Sequence, residues 1–320
     1  MLSRVADHLY WMSRYLERAE HTARVLDVFL NRALETAPGA ADGRLVRLLR
    51  GLDIQPIPEH LDVQEMLQRL TFDSSYSGSI VFNLTGAREN ARHIREQISS
   101  EMWMEINQLY LEVRHTDRAL GWLNEPHPFY VGVKDGAHLF QGITDATMNH
   151  NQGWHFIQIG RYVERLINLV NFLNAQLPRH FSESPESDQP VERYFDLVAL
   201  LKSFSAFEAF CKVYNPDMQP ERIAEFLLFN AEFPRSARFC VDTLFSSLNS
   251  LADATMRHKN LKVNRVAGRL QSILSFDEVE DVLSTGFSAY LTGMKQQAYQ
   301  IHDALFDTYI SYPIEAALTN

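Results

Sequence analysis

Apolar side chains recur along this chain at the three-and-four spacing that lines one face of an α-helix. Nowhere do β-branched residues alternate with polar ones long enough to make a strand. The pattern predicts an all-α protein with helices over 3–34, 44–51, 62–71, 79–118, 134–148, 151–177, 190–213, 219–230, 236–257, 262–274 and 277–312. The interruptions at Pro38-Gly39, Pro56-Ile57-Pro58, Asn124-Glu125-Pro126 and 215–220 carry prolines, which lack the backbone donor and clash with the preceding turn. The polar run 182–190 reads as a solvated loop and not as a domain boundary.

Two of these helices carry the same polar arc. At about 100° per residue, Gln158, Arg161, Glu164, Arg165, Asn168 and Asn171 share one side of 151–177, opposite Ile159, Tyr162, Val163 and Leu166. In 3–34 the arc is Arg14, Glu17, Arg18, Glu20, His21 and Arg24. The segment Arg14-Tyr15-Leu16-Glu17-Arg18 recurs as Arg161-Tyr162-Val163-Glu164-Arg165, 147 positions on (14 + 147 = 161), and His8 matches His155 at the same offset. A second match, Leu70-Thr71-Phe72-Asp73 with Tyr76 and Ser79 against Leu227-Leu228-Phe229-Asn230 with Phe233 and Ser236, lies at an offset of 157 (70 + 157 = 227). We expect a helical bundle built from two pseudo-repeats, 1–150 and 151–320, in a single domain 1–320 with a shared core.

Three readings of the repeated arc are open. A solvated face laced with ion pairs would look the same, but solvent accepts almost any charged residue and does not explain identity in register. A structural exchange would bring Glu17 to Arg165 or Arg161 and Glu164 to Arg18 or Arg14, each partner kept from standing unpaired. A ligand site would use the forked donors of Arg14, Arg18, Arg161 and Arg165 for a carboxylate or phosphate, with Glu17 and Glu164 as acid/base groups. The expected signature of the last two is that the two segments are neighbours, with a Glu–Arg hydrogen bond at about 2.7–2.9 Å.

A further ridge occurs once. Arg88, Arg92 and Arg95 fall at i, i+4 and i+7 on the helix expected at 79–118, and their counterparts at the 157 offset are Phe245, Asn249 and Ala252. The ridge reads either as a docking or ligand site or as cations neutralised by Glu89, Glu96 and neighbouring carboxylates. Asn149, His150 and His155 lack a carboxylate at ligand spacing, so no metal is expected and the Thr and Asn side chains there read as helix-end hydrogen bonders. Neither a phosphate-binding glycine loop nor a nucleophile elbow is present, and no cofactor is expected. Trp11, Trp103, Trp122 and Trp154 read as core anchors.

Composition narrows the class. With 46% hydrophobic and 22% charged residues the 320-residue chain can bury a large core. A net charge of -10 repels nucleic acid and anionic membranes, so neither is an expected partner. Two cysteines, Cys211 and Cys240, without metal-ligand spacing suit a reducing compartment. The first residues read unlike a signal peptide and no run suits a membrane span, so a cytoplasmic location is expected.

Taken together, Ala6-Asp7-His8-Leu9-Tyr10-Trp11 leading into Arg14-Tyr15-Leu16-Glu17-Arg18-Ala19, Ala87-Arg88-Glu89-Asn90-Ala91-Arg92, Gly142 to Met148, and Gly160-Arg161-Tyr162-Val163-Glu164-Arg165 resemble the alpha-E family, a bacterial all-helical family named for its Glu-Arg motif. The resemblance spans nearly the whole chain, with Leu166 standing where the first copy has Ala19. It implies association with ATP-grasp ligases, transglutaminase-like peptidases and a proteasome-like peptidase, in systems that make or remove amide-linked peptides. The family's functional residues would map onto Glu17, Arg18, Glu164, Arg165, Arg88 and Arg92. The expected role is a helical accessory subunit of an ATP-grasp-dependent ligation system that holds a carboxylate-bearing peptide or the ligase. The alternatives are an enzyme in its own right and a structural homodimer.

Overall fold

The computed structural model describes residues 1–34, 41–57, 62–116, 122–181, 190–255 and 261–311. The Pro38-Gly39 stop and the polar loop at 182–189 lie outside them. Among the described residues there are helices and no strand. In chain order they are α1 (Ser3–Leu34), α2 (Ala41–Gly51), α3 (Val63–Phe72), α4 (Ile80–His93), α5 (Ser100–Thr116), α6 (Pro126–Thr147) and α7 (Gln152–Gln176). Then follow α8 (Pro190–Lys202), α9 (Phe207–Tyr214), α10 (Pro220–Phe229), α11 (Ala237–Ala254), α12 (Lys262–Phe276), α13 (Val279–Thr285) and α14 (Phe287–Leu305), the last running into a π turn at Phe306–Ile310.

The centre is the pair α1 and α7, which pack on each other. Helices α4 and α6 flank α1, while α11, α14 and α2 flank α7. From Phe156 to Leu173 every residue of α7 except Asn168 is buried, so its polar arc is inside the protein along with its apolar side. The helices meet at Gly160, where an added Cβ would overlap the Ser13 hydroxyl and the Tyr10 carbonyl oxygen. Only a residue without a side chain lets the two backbones come this close. Ser13 and Gly160 are themselves 147 apart (13 + 147 = 160), so corresponding positions of the two matched segments touch at the crossing.

Four expected helix bounds are corrected. The span 79–118 is two helices, because Ser99 caps a new start by accepting from Met102 N at 3.1 Å while Ile94 and Ile98 turn inward to the core. The span 190–213 breaks at Ser205, whose φ of 52° lets the chain insert Phe204 into the core. Gly286, at φ 93°, divides 277–312. Helix α6 starts at Pro126 and not at 134, since proline in a first turn forfeits no hydrogen bond. The matched turns carry matching caps. Ser79 accepts from Phe82 N and donates to the Asp73 carbonyl at 2.6 Å, and Ser236 accepts from Phe239 N and donates to the Asn230 carbonyl at 2.5 Å.

Candidate functional site: the Glu-Arg exchange between α1 and α7

The repeated arcs face each other. Glu17 accepts from Arg165 Nε at 2.6 Å and Nη2 at 2.9 Å, and Glu164 accepts from Arg18 Nε at 2.6 Å, Arg18 Nη2 at 3.0 Å and Arg14 Nε at 2.7 Å. Each half therefore supplies the counter-ion for the other, with the forked geometry that suits guanidinium to carboxylate. The solvated-face reading is overturned by burial: Arg14, Glu17, Glu164 and Arg165 are each at most 6% exposed. Charges taken this far from water persist only when paired, which gives both segments a physical reason to hold the same residues.

The two ends of the exchange are closed differently. Around Glu17, Gln141 donates from α6 at 3.2 Å and Arg235, from the turn before α11, approaches at 3.4 Å. Arg235 also pairs with Glu20 at 3.1 Å, and Glu20 with Arg24 one turn on. Arg165 donates its remaining nitrogen to the Pro234 carbonyl at 3.1 Å. Burial opposes ionisation of Glu17, but Arg165 and then Arg235 outweigh it and lower its pKa, while Glu20 is held well below the usual carboxylate range against the same opposition.

Around Glu164 the wall is incomplete. Arg14 continues to the Tyr10 hydroxyl at 3.3 Å and lies 4.8 Å from the Trp11 ring centroid, and Tyr10 meets His302 Nδ1 at 2.7 Å. Burial alone would raise the Glu164 pKa, yet Arg18 and Arg14 bring it down to about 2. On the far side of Arg18, whose side chain is 28% exposed, lies a cavity of about 280 Å³ walled by the 52–55 segment, the 76–78 turn and Tyr299. His21 and Asn168 also line it.

The remaining expected site residues separate. Arg161 stays outside the exchange: it donates to Gln158 at 3.3 Å, has Asp145 at 3.9 Å, and keeps Nη2 buried without a hydrogen bond. Arg88, Arg92 and Arg95 find their partners on α4 and α5 and not at the crossing, and Arg95 sits past the end of α4, so the three do not form one helical ridge. Glu89 bonds Arg88 at 2.9 Å and Arg92 at 2.8 Å, and the faces of Trp103 and Tyr110 receive Arg88 while Trp103 receives Arg95 at 4.7 Å. Asn151 caps α7 by accepting from Gly153 and Trp154. Trp11, Trp103 and Trp122 pack against the core from partly buried positions, whereas Trp154 stacks on His150 at 4.1 Å. Sequence reasoning passed over Arg235, Gln141 and His302, whose local sequences carry no signal because distant folding alone brings them to the crossing.

With their oxygens engaged and their pKa values lowered, Glu17 and Glu164 stay ionised and have little capacity to exchange protons near neutrality. The arginines facing the cavity retain capacity to bind an oxyanion. Among the described residues no group of three or more His, Cys, Asp or Glu is placed to hold a metal ion, and no helix is long and apolar enough to cross a membrane.

The model of the Alpha-E family, described as "a predicted alpha-helical domain with a conserved ER motif", matches residues 1–310. Similar curated proteins are uncharacterized proteins of Mycobacterium bovis and of two strains of Mycobacterium tuberculosis, each 25% identical over 97% of this chain. The chain spans 37% of the length of each of these relatives. No solved structure matches.

Proposed function

The chain belongs to the Alpha-E family, and on that footing we propose that it is a non-catalytic helical partner in ATP-grasp-dependent amide or peptide ligation. It holds the ligase or a carboxylate-bearing peptide while another protein carries out the chemistry. One observation carries this reading: the motif glutamates that an enzyme would need as acid and base are engaged by arginines from the opposite helix and kept ionised. The motif then serves as the clamp of a rigid body that presents surfaces. The mycobacterial relatives support a modular role, since the matching region is 37% of a longer polypeptide. The reciprocal pairing across the crossing supports descent from two pseudo-repeats.

In this reading the ligase docks on the outer face of α4 and α5, where Arg88, Arg92 and Arg95 stand beside Trp103 and the exposed Met104 and Leu111. Arginine and aromatic side chains supply much of the energy at protein interfaces. Copurification with the ATP-grasp ligase encoded nearest to the protein tests it. Wild type should retain the ligase and Arg88→Ala should lose most of it; a wild type that retains none overturns the proposal.

A further inference from the structure

The asymmetry between the two ends of the crossing marks a site. Arg235, which covers the Glu17 end, corresponds at the 157 offset to Gly78 (78 + 157 = 235), and Gly78 lines the cavity beside Glu164. Where one turn sends in a guanidinium, the other sends nothing. Glu20, the second partner of Arg235, corresponds at the 147 offset to Ile167 (20 + 147 = 167), which also lines the cavity. The space beside Arg18 is thus the place that the closed end fills with its own ion pair.

Two of the residues that line this space hold buried polar atoms with no partner. His21 is 2% exposed, and its Nε2 is buried without a hydrogen-bond partner; Asn168 Nδ2 is in the same condition. Buried polar atoms without partners are rare because each forfeits its bonds to water. The imidazole is neutral: burial drives the His21 pKa down to about 4, only partly offset by Glu20. In the tautomer with hydrogen on Nε2 it is a donor. Arg18 spends Nε and Nη2 on Glu164 and makes no hydrogen bond through Nη1 among the described residues. Two guanidinium charges, Arg14 and Arg18, stand against the single charge of Glu164, and Asp53 on the rim is answered by Lys295 at 2.8 Å. The surplus of one positive charge matches a monoanion, whereas a phosphate dianion would carry an uncompensated charge into a partly desolvated site.

We propose that this cavity binds the free C-terminal carboxylate of a short peptide, with Arg18 as the ion-pair partner and His21 Nε2 and Asn168 Nδ2 as donors. The apolar wall of Leu52, Ile54 and Ile167 takes the terminal side chain. At about 280 Å³ the space admits the end of a peptide and not its length. The proposal rests on the peptide-holding reading above and gives it a place, separate from the ligase-docking face.

Calorimetric titration of the purified full-length protein, without ligase, with acetyl-Ala-Ala as free acid, its C-terminal amide and inorganic phosphate tests it. The free acid should bind and the amide and phosphate should not. His21→Phe keeps the ring stack on Phe204 and Asn168→Leu removes an unpartnered amide, so both variants should fold, as their melting curves will show. Each should weaken the free acid by about tenfold or more, the worth of one hydrogen bond to a charged group. Absence of free-acid binding, equal binding of the amide, stronger binding of phosphate, or unchanged affinity in both folded variants would each overturn the proposal. Peptide binding without ligase copurification would sink the accessory reading and leave the site standing, and the converse would remove only the site.

Discussion

At one end of the α1–α7 crossing Glu17 lies under Arg165 and Arg235, with Gln141 completing its shell; at the other Glu164 lies under Arg14 and Arg18, with Gly78 and a cavity beyond them. The same motif serves both ends, so the motif cannot be what makes them different. The difference comes from the turns laid over them, 73–79 before α4 and 230–236 before α11, which share their serine caps but carry Gly78 in one and Arg235 in the other at matching positions. An interior ion-pair network can thus be wholly structural at one end and open to a ligand at the other.

The largest expected effect comes from neutralising the two glutamates. Glu17→Gln should cost roughly 4 kcal/mol of unfolding free energy, because it leaves Arg165 and Arg235 buried against too little negative charge. Glu164→Gln should cost less, roughly 2–3 kcal/mol, since water reaches Arg18 through the cavity. Denaturant unfolding measures both, and equal costs would break the comparison.

Acid titration gives the next effect. His21 is neutral in the fold, with a pKa near 4 against the ordinary 6.5. Between those values the unfolded chain binds a proton that the native state refuses, so stability is lost as pH is lowered from about 6.5 to 4, by roughly 3 kcal/mol in all. The depressed Glu164 carboxyl acts lower: its contribution, also roughly 3 kcal/mol, is whole above about pH 4.5 and is lost as pH falls towards 2. Unfolding measured from pH 7 to 4 should show a smaller loss in His21→Phe than in wild type, the remainder coming from His155 and His302, whose pKa values burial also lowers; the same slope in both proteins would remove His21 as its source.

Gly160→Ala tests what the ends share. A methyl group driven against the Tyr10 carbonyl and Ser13 should cost about 2–3 kcal/mol by overpacking and loosen both ends together. A neutral outcome in a melting curve would mean that the crossing is slack. The smallest effect belongs to the surface. Arg92→Ala removes an exposed i, i+3 pair with Glu89 and should change stability by no more than about 0.5 kcal/mol. A larger loss would mean that the outer face carries structural strain like the crossing.

Much of this was legible in the chain. Apolar periodicity located α1, α7, α10 and α11 to within a few residues, because an apolar stripe, a proline at the start of α10 and the Asn151 and Ser236 caps of α7 and α11 are local signals. The repeated Arg-Tyr-Leu/Val-Glu-Arg register singled out Arg14, Glu17, Arg18, Arg161, Glu164 and Arg165 as one group, with an exchange between the two helices as one of three open readings. The break in 79–118 was not legible, since it rests on one serine cap and two inward isoleucines and has neither proline nor glycine to announce it. The same limit applies to the arginines, which look alike in sequence: Arg165 is saturated, Arg161 keeps a buried nitrogen unpartnered, Arg95 lies on an indole face, and Arg18 borders a cavity.

By itself, then, the sequence determined that the chain is helical, where helices such as α1, α7 and α11 run, and which charged residues recur in register, because periodicity, capping and repetition are encoded within a turn or across a visible repeat. Only the tertiary structure decided that those charges are buried, that Arg235 closes one end while Gly78 leaves the other open, and that His21 and Asn168 keep unspent nitrogens there. Burial and enclosure depend on segments far apart in the chain coming together, and no local pattern records which of two matching turns will fill the space beneath it.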